Sequence, residues 1–172
     1  MEKYTIELFL PLVTDVFERS QVERFLSLPQ VKKVWLLSTS TVDGELPEKV
    51  SLMQADSLQK STLFKSMAEC ATADYVLFFA KGDADVDVEK LCAFVEALPA
   101  DASMSYSNYF KSVDGALVEA PTIDYQAGSL RNDFDFGSLL LFRTAALKQY
   151  LAASPDDYEY AGLYQLRLAM SR

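Results

Sequence analysis

The sequence predicts an α/β fold with a mostly parallel central sheet and helices on both faces. Strand-like and helix-like segments alternate along the first hundred residues, and this alternation is typical of parallel strands joined by helical crossovers. Residues 74–80 are almost purely apolar, as expected for a strand that is buried on both faces. Half of the 172 residues are hydrophobic, which is sufficient for one domain with a sizeable core.

The first half of the chain contains four predicted strands, which we expect to run parallel. Apolar spacing predicts helices after the first, third and fourth of these strands, whereas a turn-rich loop at residues 40–47 joins the second to the third. Ser20 with Glu23 matches a capping box that would open the first helix. Ser57 is predicted to cap the second helix, and Pro99 follows the third. The predicted strands are residues 4–10, 31–38, 50–54 and 74–80.

The second half of the chain has a different pattern. Residues 103–111 and 116–119 flank an Asp114-Gly115 turn and predict a hairpin. A strand is predicted at residues 136–142, followed by helices at 143–152 and 158–171. Because no linker or repeat separates the halves, we predict a single domain over residues 1–172, with a mixed sheet.

Composition excludes several classes of function. The net charge of −9 is opposite to the basic surface that nucleic acids and anionic membranes require. The chain has no histidine, which excludes Ser-His-Asp triads and His-ligated zinc sites. Acid–base chemistry is therefore expected to depend on Asp or Glu.

The sequence also predicts a cytoplasmic protein. Cys70 and Cys92 form no CxxC pair and are expected to be free thiols in a reducing compartment. The N-terminal segment lacks a signal-peptide pattern. No apolar run approaches the roughly 20 residues that a transmembrane helix needs.

Polar side chains at the predicted strand ends are the candidate site, because open α/β sheets bind ligands there. Asp83 and Asp85 follow the fourth strand at alternate positions, a pattern suited to Mg²⁺ or Mn²⁺ bound with a diphosphate. Alternatively, Asp85 or Asp87 caps the next helix while Asp83 is simply solvated. Neither a P-loop nor a GxGxxG motif is present.

Several segments resemble one enzyme family. Residues 71–85 (ATADYVLFFAKGDAD), residues 86–91 (VDVEKL) and the proline-containing strand end at residues 9–14 (FLPLVT) are similar to the nucleotide-binding half of family 2 inverting glycosyltransferases with the GT-A fold. Residues 106–109, 128–137 and 158–168 resemble a Bacteroidetes-type subgroup of these proteins.

The resemblance implies a GT-A-like sandwich with a nucleotide-binding half (residues 1–100) and an acceptor-side half (residues 101–172). It further implies inverting transfer of a sugar from a nucleotide-diphospho-sugar donor to the hydroxyl of a glycan or lipid-linked acceptor. Because members usually continue further, a further domain beyond this chain is expected. The alternative is a degenerate, non-catalytic binding or assembly module of the same fold.

The resemblance and the strand ends together give the candidates for donor binding. Ser38 and Thr39 replace an acidic pair that the family carries after its second strand, and Asp56 is a candidate substitute for the missing base contact. An ordinary turn or capping role for Asp56 is the alternative. The donor-binding candidates are Pro11, Leu12, Val13, Ser38, Thr39, Asp56 and Asp83, and the metal candidates are Asp83 and Asp85.

The catalytic base has no direct match. Aligning Arg167 with a family arginine places Tyr160 and Ala161 where a Glu-Asp pair is expected. Asp135 and Asp133 are preferred because burial among phenylalanines would raise a carboxyl pKa and strengthen the base. Glu159 is the third candidate, with a helix-start role as its alternative.

Overall fold

The described part of the chain forms eight strands and five helices. The computed structural model describes residues 3–13, 18–42, 44–126, 134–154 and 157–170, and Asp133 lies outside them. The strands are β1 (Ile6–Pro11), β2 (Val31–Ser38), β3 (Val50–Gln54), β4 (Tyr75–Phe79), β5 (Met104–Tyr106), β6 (Tyr109–Val113), β7 (Ala116–Ala120) and β8 (Leu139–Arg143). The helices are α1 (Arg19–Leu26), α2 (Ser61–Cys70), α3 (Val88–Glu96), α4 (Thr144–Ala153) and α5 (Gly162–Met170).

The central sheet has six strands in the order β3-β2-β1-β4-β8-β5. The strands β1 to β4 pair in parallel, as predicted. Strand β8 lies antiparallel between β4 and β5, so five of the six strands share one direction. The mostly parallel sheet predicted from the sequence is confirmed.

The predicted strand at residues 103–111 is two strands in the structure. Its first part, β5, joins the central sheet, whereas β6 turns away and pairs with β7. The turn between β6 and β7 is the predicted one, with Asp114 and Gly115 both at positive φ. This geometry suits a two-residue hairpin turn.

Helices cover both faces of the sheet, as predicted. On one face, Phe25 of α1 and Leu91 of α3 join a buried cluster with Leu8 of β1. On the other face, Phe64 of α2 and Leu147 of α4 pack with residues from β1, β4 and β8, and α5 adds to the same cluster. No helix within the described ranges is long and apolar enough to span a membrane.

Two predicted helix caps are wrong. Ser20 lies inside α1 and its hydroxyl donates to Glu18, the residue before the helix. Ser57 accepts the N–H of Gln59 in a local turn, and α2 begins four residues later. Both serines bond within two residues along the chain, a local alternative that competes with helix capping.

A buried glutamate connects three parts of the sheet. Glu7 on β1 is only 1% exposed. Its carboxylate accepts the indole N–H of Trp35 on β2 at 2.8 Å. It also accepts the backbone N–H of Thr72 (2.9 Å), the Thr72 hydroxyl (2.8 Å) and the N–H of Ala73 (3.1 Å), all just before β4. The carboxylate is thus saturated with donors.

These donors decide the ionisation of Glu7. Burial alone would raise the pKa of the Glu7 carboxyl, since it disfavours the charged form. The hydrogen bonds from Trp35, Thr72 and Ala73 together outweigh burial, and the pKa is lowered. Glu7 is therefore a carboxylate at neutral pH and stabilises the fold in that form.

We predict that Glu7→Gln destabilises the protein at neutral pH by about 1–3 kcal/mol. The amide nitrogen would face donors where a carboxylate oxygen now accepts, which leaves buried groups unpaired. Urea denaturation at pH 7 measures the loss.

The pH dependence provides the control for this prediction. Because the folded-state pKa of Glu7 is lowered, its contribution is fully present above the pKa of the unfolded state. It is lost as the pH falls through the folded-state pKa. The destabilisation by Glu7→Gln should therefore shrink below about pH 4.5. A difference that stays constant down to pH 2 would contradict the ionic role.

Candidate functional site

The carboxyl ends of the four parallel strands lie along one edge of the sheet. From β1 the chain crosses to β2 and then β3 on one side, and from β3 it returns to β4 on the other side of β1. The order of the strands therefore reverses between β1 and β4. In open α/β sheets, ligands bind outside the carboxyl ends of the strands at such a reversal.

The chain segments that follow β1 and β4 come into close contact at a glycine, Gly82. A Cβ atom at Gly82 would collide with the carbonyl oxygen of Pro11 and lie 2.7 Å from a methyl group of Val13. Only glycine permits this approach of the two segments. Gly82 is not among the residues that the sequence pattern indicated, although an isolated glycine beside a strand is a known signal of close backbone contact.

Beside this contact lies an open depression of about 280 Å³. One wall is α1 with the residue before it, and the other is the segment after β4. Both metal candidates, Asp83 and Asp85, line it. The full lining is Glu18, Ser20, Gln21, Arg24, Gly82, Asp83 and Asp85.

The acidic residues after β4 have distinct partners. Asp87 caps α3, accepting the N–H of Glu89 at 3.0 Å, and a hydrogen bond from Lys90 is the main cause of its lowered pKa. Asp85 accepts the N–H of Val86 at 2.9 Å and lies 3.4 Å from Arg24. Of the two capping alternatives for this segment, the structure shows Asp87.

The depression suits a hard cation that arrives with phosphate oxygens. Carboxylate oxygens are suitable ligands, and Mg²⁺ usually binds one or two carboxylates together with substrate phosphates and water. Within the described ranges, no three metal-ligating side chains cluster, so Asp83 and Asp85 would supply only part of a coordination sphere. Metal binding by these two residues stays a prediction.

The candidates after β1 and β2 differ in accessibility. The N–H of Leu12 donates to Leu37 at 2.9 Å, and Pro11 is buried at the end of β1. Val13, in contrast, is 72% exposed.

The two candidates at the end of β2 also differ. Ser38 is buried and bonds to the backbone of Ser40, whereas Thr39 is exposed. Val13 and Thr39 are therefore the accessible side chains of this group.

Asp56 and Glu159 meet at one lysine. Lys60, just before α2, lies 3.8 Å from Asp56 and 3.4 Å from Glu159. Asp56 also lines a second depression of about 200 Å³ between the end of β3 and α2. The structure thus places Glu159 beside the start of α2, outside the lining of the depression that contains Asp83.

The Asp135 carboxylate is hydrogen-bonded by a side chain of β6 and by the backbone two residues further along the chain. The Tyr109 hydroxyl donates to its carboxylate at 2.6 Å, and the N–H of Gly137 donates at 2.8 Å. Chiefly because of the Tyr109 hydrogen bond, the pKa of Asp135 is lowered. The predicted increase in this pKa is therefore wrong: Asp135 is exposed rather than buried among phenylalanines, and hydrogen bonds to the carboxylate outweigh the remaining desolvation.

The aromatic surroundings of Asp135 are partly as expected. Phe136 is buried in the core, whereas Phe134 is only partly buried and packs 4.6 Å from it between ring centroids. The Arg167 guanidinium lies 5.0 Å from the Phe136 ring, and burial lowers its pKa to about 10. Asp135 does not line the depression that contains Asp83.

Comparisons with known proteins place the fold. No protein-family model matches the chain, and no curated protein matches it. A 4-diphosphocytidyl-2C-methyl-D-erythritol synthase from Anaerococcus prevotii is 12% identical, with 94% of this chain and 82% of that chain covered and a TM-score of 0.51.

Two further structures are less similar. A CMP:2-keto-3-deoxy-manno-octonic acid synthetase complexed with CTP is 14% identical, with 88% and 78% coverage and a TM-score of 0.48. A 2-C-methyl-D-erythritol 4-phosphate cytidylyltransferase from Francisella tularensis is 12% identical, with 86% and 76% coverage and a TM-score of 0.47. The Anaerococcus structure supports the fold assignment. This chain has its α/β fold, the GT-A-like arrangement predicted from the sequence.

Proposed function

We propose that this chain is a glycosyltransferase domain that binds a nucleotide-diphospho-sugar at the carboxyl edge of the sheet and transfers the sugar with inversion. The main support is the depression at the reversal between β1 and β4, which brings Asp83, Asp85 and Arg24 together. In this proposal the reaction is cytoplasmic, and the acceptor is the hydroxyl of a glycan or lipid-linked molecule.

The proposed donor site spans the ends of the parallel strands. Val13, Thr39 and Asp56 are exposed along this edge and are proposed to contact the nucleoside. Asp83 and Asp85 would hold Mg²⁺ or Mn²⁺ against the diphosphate. A cation bound there would neutralise negative charge that develops on the departing diphosphate.

The proposed base must accept a proton from the acceptor hydroxyl. The pKa of Asp135 is lowered, so at neutral pH the carboxyl is in the ionised state, which accepts a proton. The same shift weakens it as a base, since proton-transfer efficiency follows basicity. Its bond to Tyr109 holds the carboxylate in one orientation. Asp133 and Glu159 are the alternative bases.

A specific observation favours a second function, that of a non-catalytic binding module. Apart from Asp83, each described carboxylate that we propose as a metal ligand or base already has a protein partner. Asp85 pairs with Arg24, Asp135 with Tyr109, and Glu159 with Lys60. A domain that binds a nucleotide without turnover needs no free base, so binding and transfer require separate measurements.

We predict that a nucleoside diphosphate with Mn²⁺ stabilises the protein against heat. A ligand at a hundred times its dissociation constant contributes about 2.7 kcal/mol, which corresponds to a rise of about 5–10 °C in Tm for a domain of this size. Thermal-shift assays with UDP, GDP, CDP and ADP, with and without Mn²⁺, test this.

The control for this prediction compares two pairs of substitutions. Asp83→Asn with Asp85→Asn should abolish the Mn²⁺-dependent part of the shift. Asp101→Asn with Asp114→Asn makes the same change in net charge at exposed positions outside the depression, and it should leave the shift intact. Equal losses in both pairs would reject the assigned metal ligands, and the absence of any shift in the unmodified protein would reject the proposed function.

We predict that Asp135→Asn lowers transfer by about 10²–10⁴-fold while donor binding persists, because a general base acts in the transition state. Release of nucleoside diphosphate from UDP- and GDP-sugars measures turnover, and release of pyrophosphate from CTP would instead indicate nucleotidyl transfer. Full activity of Asp135→Asn would exclude this base, and undetectable turnover in a protein that binds nucleotide would favour the binding module.

Tyr109→Phe separates a base from a structural aspartate. It removes the hydrogen bond that is the main cause of the lowered pKa of Asp135, so that pKa should rise. The acid limb of the kcat/KM profile should then move to higher pH, since the base loses its charge earlier as the pH falls. An unmoved acid limb would show that another group titrates.

A further inference from the structure

The depression at the β1–β4 reversal carries an unequal charge. Three carboxylates line it, from Glu18, Asp83 and Asp85, and Arg24 is the one cationic side chain among the described residues of its lining. Phosphate oxygens approaching these carboxylates meet repulsion unless a cation accompanies them. The guanidinium of Arg24 is therefore the protein group in this lining that can attract them.

The present partners of Arg24 hold it weakly. It lies 3.4 Å from Asp85 and donates to the carbonyl oxygen of Val86 at 3.5 Å, both long for charge-assisted hydrogen bonds. The side chains of Arg24 and Asp85 are 50% and 73% exposed, and ion pairs this exposed contribute little. Replacing Asp85 by another anion as the partner of Arg24 should therefore cost little free energy.

The backbone that carries Arg24 is firmly placed. Its helix, α1, is anchored by Val22 and Phe25, which are both buried in the core. The planar guanidinium matches phosphate oxygens in a two-pronged fashion that an ammonium group cannot reproduce.

We propose that Arg24 binds the diphosphate at this site by exchanging its partner. In the free protein the guanidinium neutralises Asp85. When a diphosphate enters with a divalent cation, Arg24 donates to the phosphate oxygens and Asp85 passes to the cation. This inference rests on the proposed function and adds to it the residue that recognises the phosphates.

The test measures binding of three probes by titration: Mg²⁺ with inorganic pyrophosphate, Mg²⁺ with UDP, and Mn²⁺ alone. Arg24→Ala should weaken both phosphate probes by about tenfold or more. Mn²⁺ alone should bind at least as tightly as before, because Asp85 loses its competing cation. A general loss of structure would weaken all three probes.

Two further variants complete the design. Arg24→Lys should give an intermediate loss because it keeps the charge without the planar fork. Arg19→Ala removes the same charge from the same helix at a residue that instead contacts Glu23 and the carbonyl oxygen of Glu45, and it should bind as the unmodified protein does. If Arg24→Ala disrupts folding, as seen by circular dichroism, Arg24→Gln replaces it.

The outcomes separate this inference from the function on which it rests. UDP binding that survives in Arg24→Ala, or is lost equally in Arg19→Ala, overturns the role of Arg24 and leaves the proposed function standing. Pyrophosphate binding that depends on Arg24, without binding of any nucleoside diphosphate, supports the phosphate site and overturns the nucleotide-sugar function. Failure of both phosphate probes in the unmodified protein overturns both.

Discussion

The buried carboxylate of Glu7 is the constraint on which the sheet depends. A charge at this depth is tolerated only when its oxygens are fully hydrogen-bonded, and its donors come from β2 and from the turn before β4. Both neighbours of β1 are thereby tied to the same residue. The ends of β1, β2 and β4, which border the candidate site, lie a few residues further along the same strands. The positions of these three strand ends relative to one another therefore depend on the hydrogen bonds to Glu7.

At the opposite end of the same strands, electrostatics rather than packing dominates. The protein has a net charge of −9. The lining of the depression is also more acidic than basic, with three carboxylates and one arginine among its described residues. Arg24 compensates for part of it through an exposed and long contact with Asp85. Short hydrogen bonds to the buried Glu7 carboxylate thus fix the amino-terminal end of these strands. At their carboxyl end, the long and exposed contacts of Arg24 are easily replaced.

Most of the fold could be predicted from local patterns, and most of the site geometry could not. The bounds of β2 and β3 agree with prediction, because apolar runs bounded by turn residues are local signals. The lowered pKa of Asp135 depends on Tyr109, which is 26 residues away, and no spacing rule reveals such a partner. Gly82 could have been noticed as an isolated glycine, but its contact with Pro11 exists only after β1 and β4 pair.

The reversal of strand order also has a consequence for folding. Strand β1 can pair with β2 through a shorter connection, but its pairing with β4 joins Ile6 to Tyr75, which closes a long loop at a cost in chain entropy. Long-range parallel pairing of this kind slows folding. The segments at Pro11 and Gly82 meet only through that pairing, so the step that assembles the candidate site coincides with the slow closure of the sheet, and a nascent chain shorter than this span carries no site.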